Sequence, residues 1–509
     1  MIVGRVARVT AILILFLISL GCGDYYRPVA NPVTPTQPNP AFTHDVVVLS
    51  VNGTSNPGAS TTIDVSGDST VSQAAVGMMP VSAALVLSGT RVYVANSVDN
   101  TVSLFSLTAP SPVTTIGLPQ VLVSSLAITA ATQSGTATTY SYTLTTGTPL
   151  QIGMKIIVAG MQSPGNNGLF TITALGTGTF TVTNPGGSTS ASQSGTGTVG
   201  SMPTSVATTE NTTVYVSSAV TDTLSGDVFA IATATGAITN TITVGINPVA
   251  MAEIPNGQKL YVANRGGGLN AGSVTSVNTI DKTANPPILA QSPPNTQAVW
   301  VSPIWVASRS DGQRAYVLDQ GAGTVSAINT FTDTVVGTAS VGVGANYMLY
   351  DPILNRLYVT NPVANTLTSV DATSDTLPAT PVTIPNAVSV AALPDGTRVY
   401  IASAAVSGAN VTSSVTVLNA SGLTVKTTIP LNSVAVSPAC SPKTFSELSM
   451  AAAADSSRVY VGNCDAGNTA LIQTSTDTLL LNVPAPLSAL PPVAGTPPPQ
   501  NPVFVVAGP

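Results

Sequence analysis

One short pattern constrains this chain more than any other: an apolar residue, a tyrosine, a small apolar residue, then a polar turn. It stands at Val92-Tyr93-Val94-Ala95-Asn96, Val214-Tyr215-Val216, Leu260-Tyr261-Val262-Ala263-Asn264 and Ala315-Tyr316-Val317. It returns at Leu357-Tyr358-Val359-Thr360-Asn361, Val399-Tyr400-Ile401 and Val459-Tyr460-Val461-Gly462-Asn463. A recurrence of this kind signals stacked copies of one unit, none of which can bury its apolar face alone. The tyrosines at 215, 261, 316, 358 and 400 lie 46, 55, 42 and 42 residues apart. Four short antiparallel strands with their turns need about 40–50 residues, which is the period of a propeller blade.

Each copy reads alike. A β-rich run leads to a tight turn at Ser88-Gly89, Asn256-Gly257, Asp311-Gly312 or Asp395-Gly396. Such pairs supply the positive φ angles of a short hairpin. The Tyr strand follows, then an alternating strand such as Thr324–Ile328 or Thr366–Val370, then a fourth run such as Thr334–Gly342. Nothing alternates strand with amphipathic helix, which argues against βαβ architectures. The fold class expected is all-β: a β-propeller of four-stranded antiparallel blades, eight favoured and seven the alternative, with a small inserted β-barrel or sandwich.

In these repeats the chain resembles the YVTN repeat β-propellers, bacterial lipoprotein type. The matching pieces are Val244-Gly245-Ile246-Asn247-Pro248, Asn256-Gly257, Tyr261-Val262-Ala263-Asn264 and Asn100-Thr101-Val102-Ser103-Leu104. The resemblance covers residues 43–120 and 200–508, and it speaks to fold far more than to function. The WD40 signature is missing, since the chain has no Gly-His or Trp-Asp dipeptide.

The two ends of the chain look like complementary parts of one blade. His44–Val51 and Thr61–Val76 read as a third and fourth strand, whereas Pro486–Gly508, ending in Val503-Phe504-Val505-Val506-Ala507, reads as a first and second. An eighth blade shared by both termini follows, and it removes the exposed edges of an open ring. The interval from Tyr93 to Tyr215 is 122 residues, long enough for one blade plus an insertion. The boundaries expected are 1–21 for an export signal, 22–41 for a Pro-rich tether, 42–120 for the first part of the propeller, 121–199 for the inserted β domain, and 200–509 for the rest.

Arg5 and Arg8 precede a short apolar core at Ala11–Leu20, too short to span a bilayer permanently. Ser19-Leu20-Gly21-Cys22 resembles a bacterial lipoprotein processing site, with Ser19 where Leu is usual, so Cys22 is the expected lipid attachment. By the same analogy Gly23 after the cysteine favours outer-membrane sorting, and the location expected is the bacterial cell envelope. Pro28, Pro32, Pro35, Pro38 and Pro40 fit a semi-extended tether. Export also suits a disulfide between the remaining cysteines, Cys440 and Cys464. One lies in a connection between blades and the other in a turn after a Tyr strand, segments that emerge on one face. Two buried free thiols are the alternative.

Catalytic groups are scarce. Only 7% of residues are charged, against about 25% in a typical domain. The net charge of −6 is spread without blocks, so nothing suggests a nucleic-acid surface, which would need a basic stripe. With one histidine, His44, a multi-histidine metal site is impossible and a Ser-His-Asp triad would need that residue. Gly195-x-Gly197-x-x-Gly200 matches a dinucleotide fingerprint in letters, yet no helix follows it to hold a pyrophosphate. No cofactor or metal is expected. Asp99, Asp222, Asp319 and Asp465 recur near turns, where Asx turns explain them more simply than a cation ring.

Geometry is the better functional lead. The turns Ser217–Asp227, Asn264–Ser273 and Ser403–Ser414 are long, and they share a face with the insertion and with Pro430–Ser449. Loops carry function when a rigid scaffold positions them. The candidate binding face comprises Trp300, Trp305, Arg265, Asn270 and Asp222. The expected function is a membrane-anchored, noncatalytic scaffold for a protein or glycan partner, its membrane contact made by the N-terminal lipid. The alternatives are an enzyme, since the resemblance extends to lactonases and quinone-cofactor dehydrogenases, and a structural or adhesive surface protein.

Overall fold

The structure, a computed structural model, describes residues 45–508 apart from 54–55, 108–111, 193, 268–270, 293–295, 438–439, 441–447 and 489–498. Cys22, His44, Asn270, the export signal and the tether lie outside the described residues.

Eight four-stranded antiparallel sheets form a ring. Blades one to seven lie at residues 80–117, 202–246, 248–284, 303–340, 347–383, 387–435 and 448–484. The eighth is composite, with strand order Ser69–Met78, Asn56–Asp64, Asp45–Asn52 and Asn501–Ala507. Each first strand packs beside the first strands of both neighbours, and the circuit closes from blade eight to blade one.

The Tyr strand is the second of its blade and is buried on both faces. Alternation along a strand therefore sends successive side chains to opposite neighbours. In blade one, Val92 and Val94 join the core shared with blade eight, and Tyr93 and Ala95 join that shared with blade two. Each of the eight blade interfaces has its own apolar cluster. In every copy the tyrosine faces the following blade. This explains the continuous apolar run around it, where a half-exposed strand would alternate with polar residues.

The closing blade corrects the expected division. Asp45–Asn52 occupies the second position, so three strands come from the N-terminal side and one from the C-terminal side. Val46 and Val48 face blade seven while Val47 and Leu49 face blade one, all essentially without solvent contact. Only a second strand is sandwiched in this way. Asn501–Ala507 takes the inner, first position, pairing Val47 with Val506 and Val48 with Val505.

A second repeat accompanies the first. Two residues before the tyrosine stands a base: Arg91, Lys259, Arg314, Arg356, Arg398 or Arg458. Each reaches the turn between the third and fourth strands of the next blade. Lys259 meets Asp333 at 2.8 Å and Arg314 meets Asp375 through two hydrogen bonds of 2.8 Å. Arg398 binds Asp477 at 2.9 Å, Arg356 donates to the Ala420 carbonyl at 2.8 Å, and Arg91 donates to the Thr233 carbonyl. The tyrosine hydroxyl often joins in, as Tyr261 does on Asp333 at 2.7 Å and Tyr400 on Asp477. Blade two has Thr213 at the basic position, and there Lys282 of blade three reaches back to the Tyr215 hydroxyl. Asp68, Asp333 and Asp477 adopt left-handed backbone with φ of 50°, 54° and 54°, the conformation that Asp and Asn tolerate best after Gly. The ring's seam uses the same device: Arg458 grips Asp68 with two bonds of 2.8 Å across 390 residues of sequence.

Residues Leu122–Gly200 form a closed six-stranded barrel in the order Lys155–Ala159, Gly168–Gly176, Thr179–Thr183, Ala137–Gly147, Leu122–Ser134, Gly195–Gly200. Its own core includes Leu126, Tyr140, Ile156, Phe180 and Val199, with Tyr140 stacked on Phe180 at 5.0 Å. The glycine fingerprint is a barrel strand: a Cβ on Gly197 would sit 3.0 Å from Leu126 and 3.1 Å from Ile156. Close packing, not phosphate binding, explains that glycine. The expected long loop at Ser403–Ser414 is instead a ladder. Arg398–Ser407 and Asn410–Asn419 pair as far as Ser407 with Asn410, around Gly408 at φ 62°. Four extra pairs raise this hairpin roughly 13 Å above the blade.

Both partners of the Arg458–Asp68 pair are mostly buried, so Arg458→Met should cost about 1–3 kcal/mol in denaturant unfolding. A double-mutant cycle with Asp68→Asn should show coupling of about 1 kcal/mol or more. The more exposed Arg309–Asp311 pair, within one turn, should couple by less than about 0.5 kcal/mol.

Candidate functional site

In an up-down-up-down blade, turns from second to third strand and connections from fourth to first emerge on one face. The barrel enters through such a connection, between Thr114–Gly117 of blade one and Met202–Ala207 of blade two. Its two ends are stapled together, with the Ser201 amide donating to the Val121 carbonyl at 2.9 Å and the Val121 amide to Ser201 Oγ at 3.0 Å. The barrel then meets the propeller at a small cleft of about 20 Å³, room for roughly one water molecule. Gly153 and Lys155 of the barrel line it, with Thr221 and Asp222 from the turn in blade two and Asn247 from the connection to blade three.

Backbone conformation fixes this corner. Asn247 is left-handed at φ 56°, which aims its amide at Asp222 Oδ1 (3.1 Å) and the Gly266 carbonyl (3.2 Å). The Arg265 amide donates to the Asn247 carbonyl at 2.8 Å. A Cβ on Gly267 would come within 2.4 Å of Asp222 Cβ, so the turns of blades two and three touch there.

The charges at this corner are coupled. Burial raises the Asp222 carboxyl above its ordinary value, and Lys155 and Arg265 oppose that rise. Lys155 keeps an exposed surface, but the crowding of barrel and propeller around it lowers its ammonium's pKa. Repulsion from Arg265 lowers it further, and Asp222 counteracts.

The remaining turn carboxylates have separate tasks. Asp319 accepts from the Val301 and Ser302 amides at 2.8 Å each, Asp99 from the Met78 amide at 2.9 Å, and Asp465 from the Ser437 amide at 2.7 Å. Each ties its turn to the connection entering the same blade. Among the described residues no group of three His, Cys, Asp or Glu side chains stands ready for a metal.

Of the proposed face, the structure brings Asp222 and Arg265 together and separates the tryptophans from them. Trp300 is a correction: it is 3% exposed and its Nε1 donates to the Ile288 carbonyl at 2.8 Å, so it belongs to the core. Trp305 is half-buried between blades four and five, its ring 4.6 Å from that of Tyr347. Cys440 and Cys464 are buried with Cα atoms 5.9 Å apart, within bridging distance.

Sequence reasoning missed Lys155, which looked like an ordinary barrel residue, and Glu253. Glu253 ends the first strand of blade three, 2% exposed, where other blades carry Ser308, Ala392 or Ala452. Its Oε2 accepts from the Thr209 amide at 2.6 Å and from Thr209 Oγ1 at 3.0 Å. Burial raises its pKa, the Thr209 bonds oppose this, Glu210 adds to the rise and Lys282 opposes it. A raised carboxyl gives stability that is complete below its ordinary value and lost as pH climbs through the raised one. Glu253→Gln should therefore raise the melting temperature at pH 7 relative to wild type. The difference should fade toward about pH 4 in parallel melts.

No protein-family model matches the chain, and no curated protein sequence matches it. Solved structures are similar in shape. AztD from Citrobacter koseri, without ligand, aligns over 91% of this chain and 98% of its own at 9% identity and a TM-score of 0.46. A protein of unknown function from Desulfotomaculum acetoxidans aligns over 91% and 99% at 10% identity and a TM-score of 0.42. Hydrazine synthase of Kuenenia stuttgartiensis aligns over 55% and 86% at 18% identity and a TM-score of 0.42. At these identities and scores the neighbours transfer no activity, and the chain stands as an eight-bladed propeller carrying a closed barrel.

Proposed function

We propose that this chain is a noncatalytic binding scaffold of the YVTN-repeat kind, lipid-anchored through Cys22 in the bacterial cell envelope. A protein or glycan partner is held at the face that carries the barrel. The observation that supports this most is the joint placement of barrel, charged cleft and raised blade-six hairpin at one end of the blades.

Chain direction adds to it. Asp45 begins a second strand, opposite Asp64, and accepts from the Gly508 amide at 2.9 Å, so the chain leaves the propeller at the other face. In this reading Cys440 and Cys464 form a disulfide that pins the connection into blade seven to the turn beyond its Tyr strand. The Asn501 amide supports the same corner, donating to the Cys464 carbonyl at 2.7 Å and to Ser437 Oγ at 3.2 Å.

Because Val121 and Ser201 already bond to each other, removing 122–200 and joining them leaves the blades uninterrupted. The shortened protein should melt cooperatively but lose the partner captured by crosslinking in intact cells. Retention of the same partner at the same yield would refute the face assignment. Mass spectrometry of the mature protein should find a diacylglyceryl group on an N-terminal Cys22, and non-reducing peptide maps should join Cys440 to Cys464. A mature end elsewhere, or two free thiols, would refute those parts.

A further inference from the structure

The raised hairpin of blade six has an open side. Its strand Arg398–Ser407 is flanked by the first strand, Ala387–Ala392, only as far as Ser403, which pairs with Ala387. One residue higher, the Ala404 amide donates to the Asn386 carbonyl at 3.2 Å. Above that, no backbone bond reaches the strand from this side among the described residues. Ladder alternation turns the amide and carbonyl of every second residue to the same edge. Val406 therefore presents both groups there, with the Ala404 carbonyl below them.

The side chains end at this edge without a cover. Val434, Val411 and Val406 lie side by side across the three strands. Val411 is 1% exposed and Val406 56%, so the apolar rung opens to solvent at its last member. The neighbouring rungs, Ala405 with Thr412 and Ser433 and Ser407 with Asn410 and Ala435, are small or polar. No charged residue occurs from Val399 to Val425. Natural sheets blunt an exposed edge with Lys, Pro or a bulge. The outer strand of this sheet carries Lys426 and Pro430, whereas Ala404–Ser407 carries none of these devices.

We propose that this edge pairs two copies of the chain, each adding its own Ala404–Ser407 antiparallel to the other across a twofold axis at Val406. The proposal goes beyond the scaffold reading and does not rest on it. An identical strand answers each feature of the edge. The Val406 amide donates to the Val406 carbonyl of the second copy and the bond is returned. The rung of three valines becomes one of six, which covers the side chain left open. Ala405 comes to lie opposite Ser407 of the second copy, so no charges of one sign meet although each chain carries a net −6. A charged partner segment would find no ion pair here. Four residues make a small contact, so the dimer is weak, with a Kd on the order of 10–100 µM.

Sedimentation equilibrium of the full-length protein between about 1 and 200 µM tests this and should show a concentration-dependent dimer. Val406→Pro removes the donated hydrogen and should weaken association about tenfold or more at unchanged melting temperature. Ala405→Lys and Ser407→Lys each place like charges near the axis and should do the same. Ala405→Lys combined with Ser407→Asp sets opposite charges across the twofold pair and should restore the dimer. Val425→Lys, on the outer strand, should leave it unchanged. Val406→Cys should give a disulfide between copies under mild oxidation, identified by peptide mapping.

A protein that stays monomeric throughout this range would overturn the proposal. So would a dimer indifferent to the substitutions at 405–407, or one that the opposite-charge pair fails to restore. A monomeric wild type whose crosslinked cellular partner is lost through Val406→Pro would overturn it as well, because the edge would then take the strand of a different protein.

Discussion

The structure depends on a reach from one blade to the next. A second strand buries its tyrosine against the following blade, and the base two residues earlier closes on that blade's outer turn. Apolar area supplies the drive, but burial alone has no direction and sheets can slide on one another. The charged grip fixes the slide. A bidentate guanidinium–carboxylate pair tolerates little displacement, and Asp68 is presented to Arg458 by a left-handed backbone. At four interfaces the base meets a carboxylate and at two a backbone carbonyl, and each such contact helps to fix one blade against the next.

The sequence announced those parts whose signals are local. The tyrosine period, the Gly-containing turns and the excess length before Tyr215 each follow from a few neighbouring residues, and they led to blades and an inserted β domain. Strand position within the shared blade is not local. Val46-Val47-Val48-Leu49 and Val503-Phe504-Val505-Val506 are both short apolar runs, and only contact with two neighbouring blades identifies the first as a second strand. Trp300 was expected at the binding face because it stands in a connection between blades, flanking Pro303 with Trp305, whereas its indole closes a core between blades three and four. The Ser- and Gly-rich composition of Ser403–Ser414 hid a ladder whose pairing is supplied by Thr424–Ala435 beside it. The bases before the tyrosines were visible and regular, and the spacing of two residues was the signal to follow.

The candidate site was half legible. Asp222 and Arg265 stood in long turns and were expected on one face, which is where they lie. Lys155 comes from a barrel strand about 70 residues earlier in sequence than Asp222, and no local pattern joins it to them. Its role depends on how the barrel leans on the blades. The division of charge follows the same logic. The far end spends most of its bases on holding blades together, while on the barrel face Asp99, Asp319 and Asp465 tie turns to connections through backbone amides.

The central claim is a ring sewn shut by the two ends of the chain, and an engineered crosslink tests it most directly. Val47 and Val506 are opposed in the composite blade. Val47→Cys with Val506→Cys should form an intramolecular disulfide under mild oxidation, identified by peptide mapping, and should raise the melting temperature. Failure of a folded double variant to form that bond, or a bond only between separate chains, would contradict the closure.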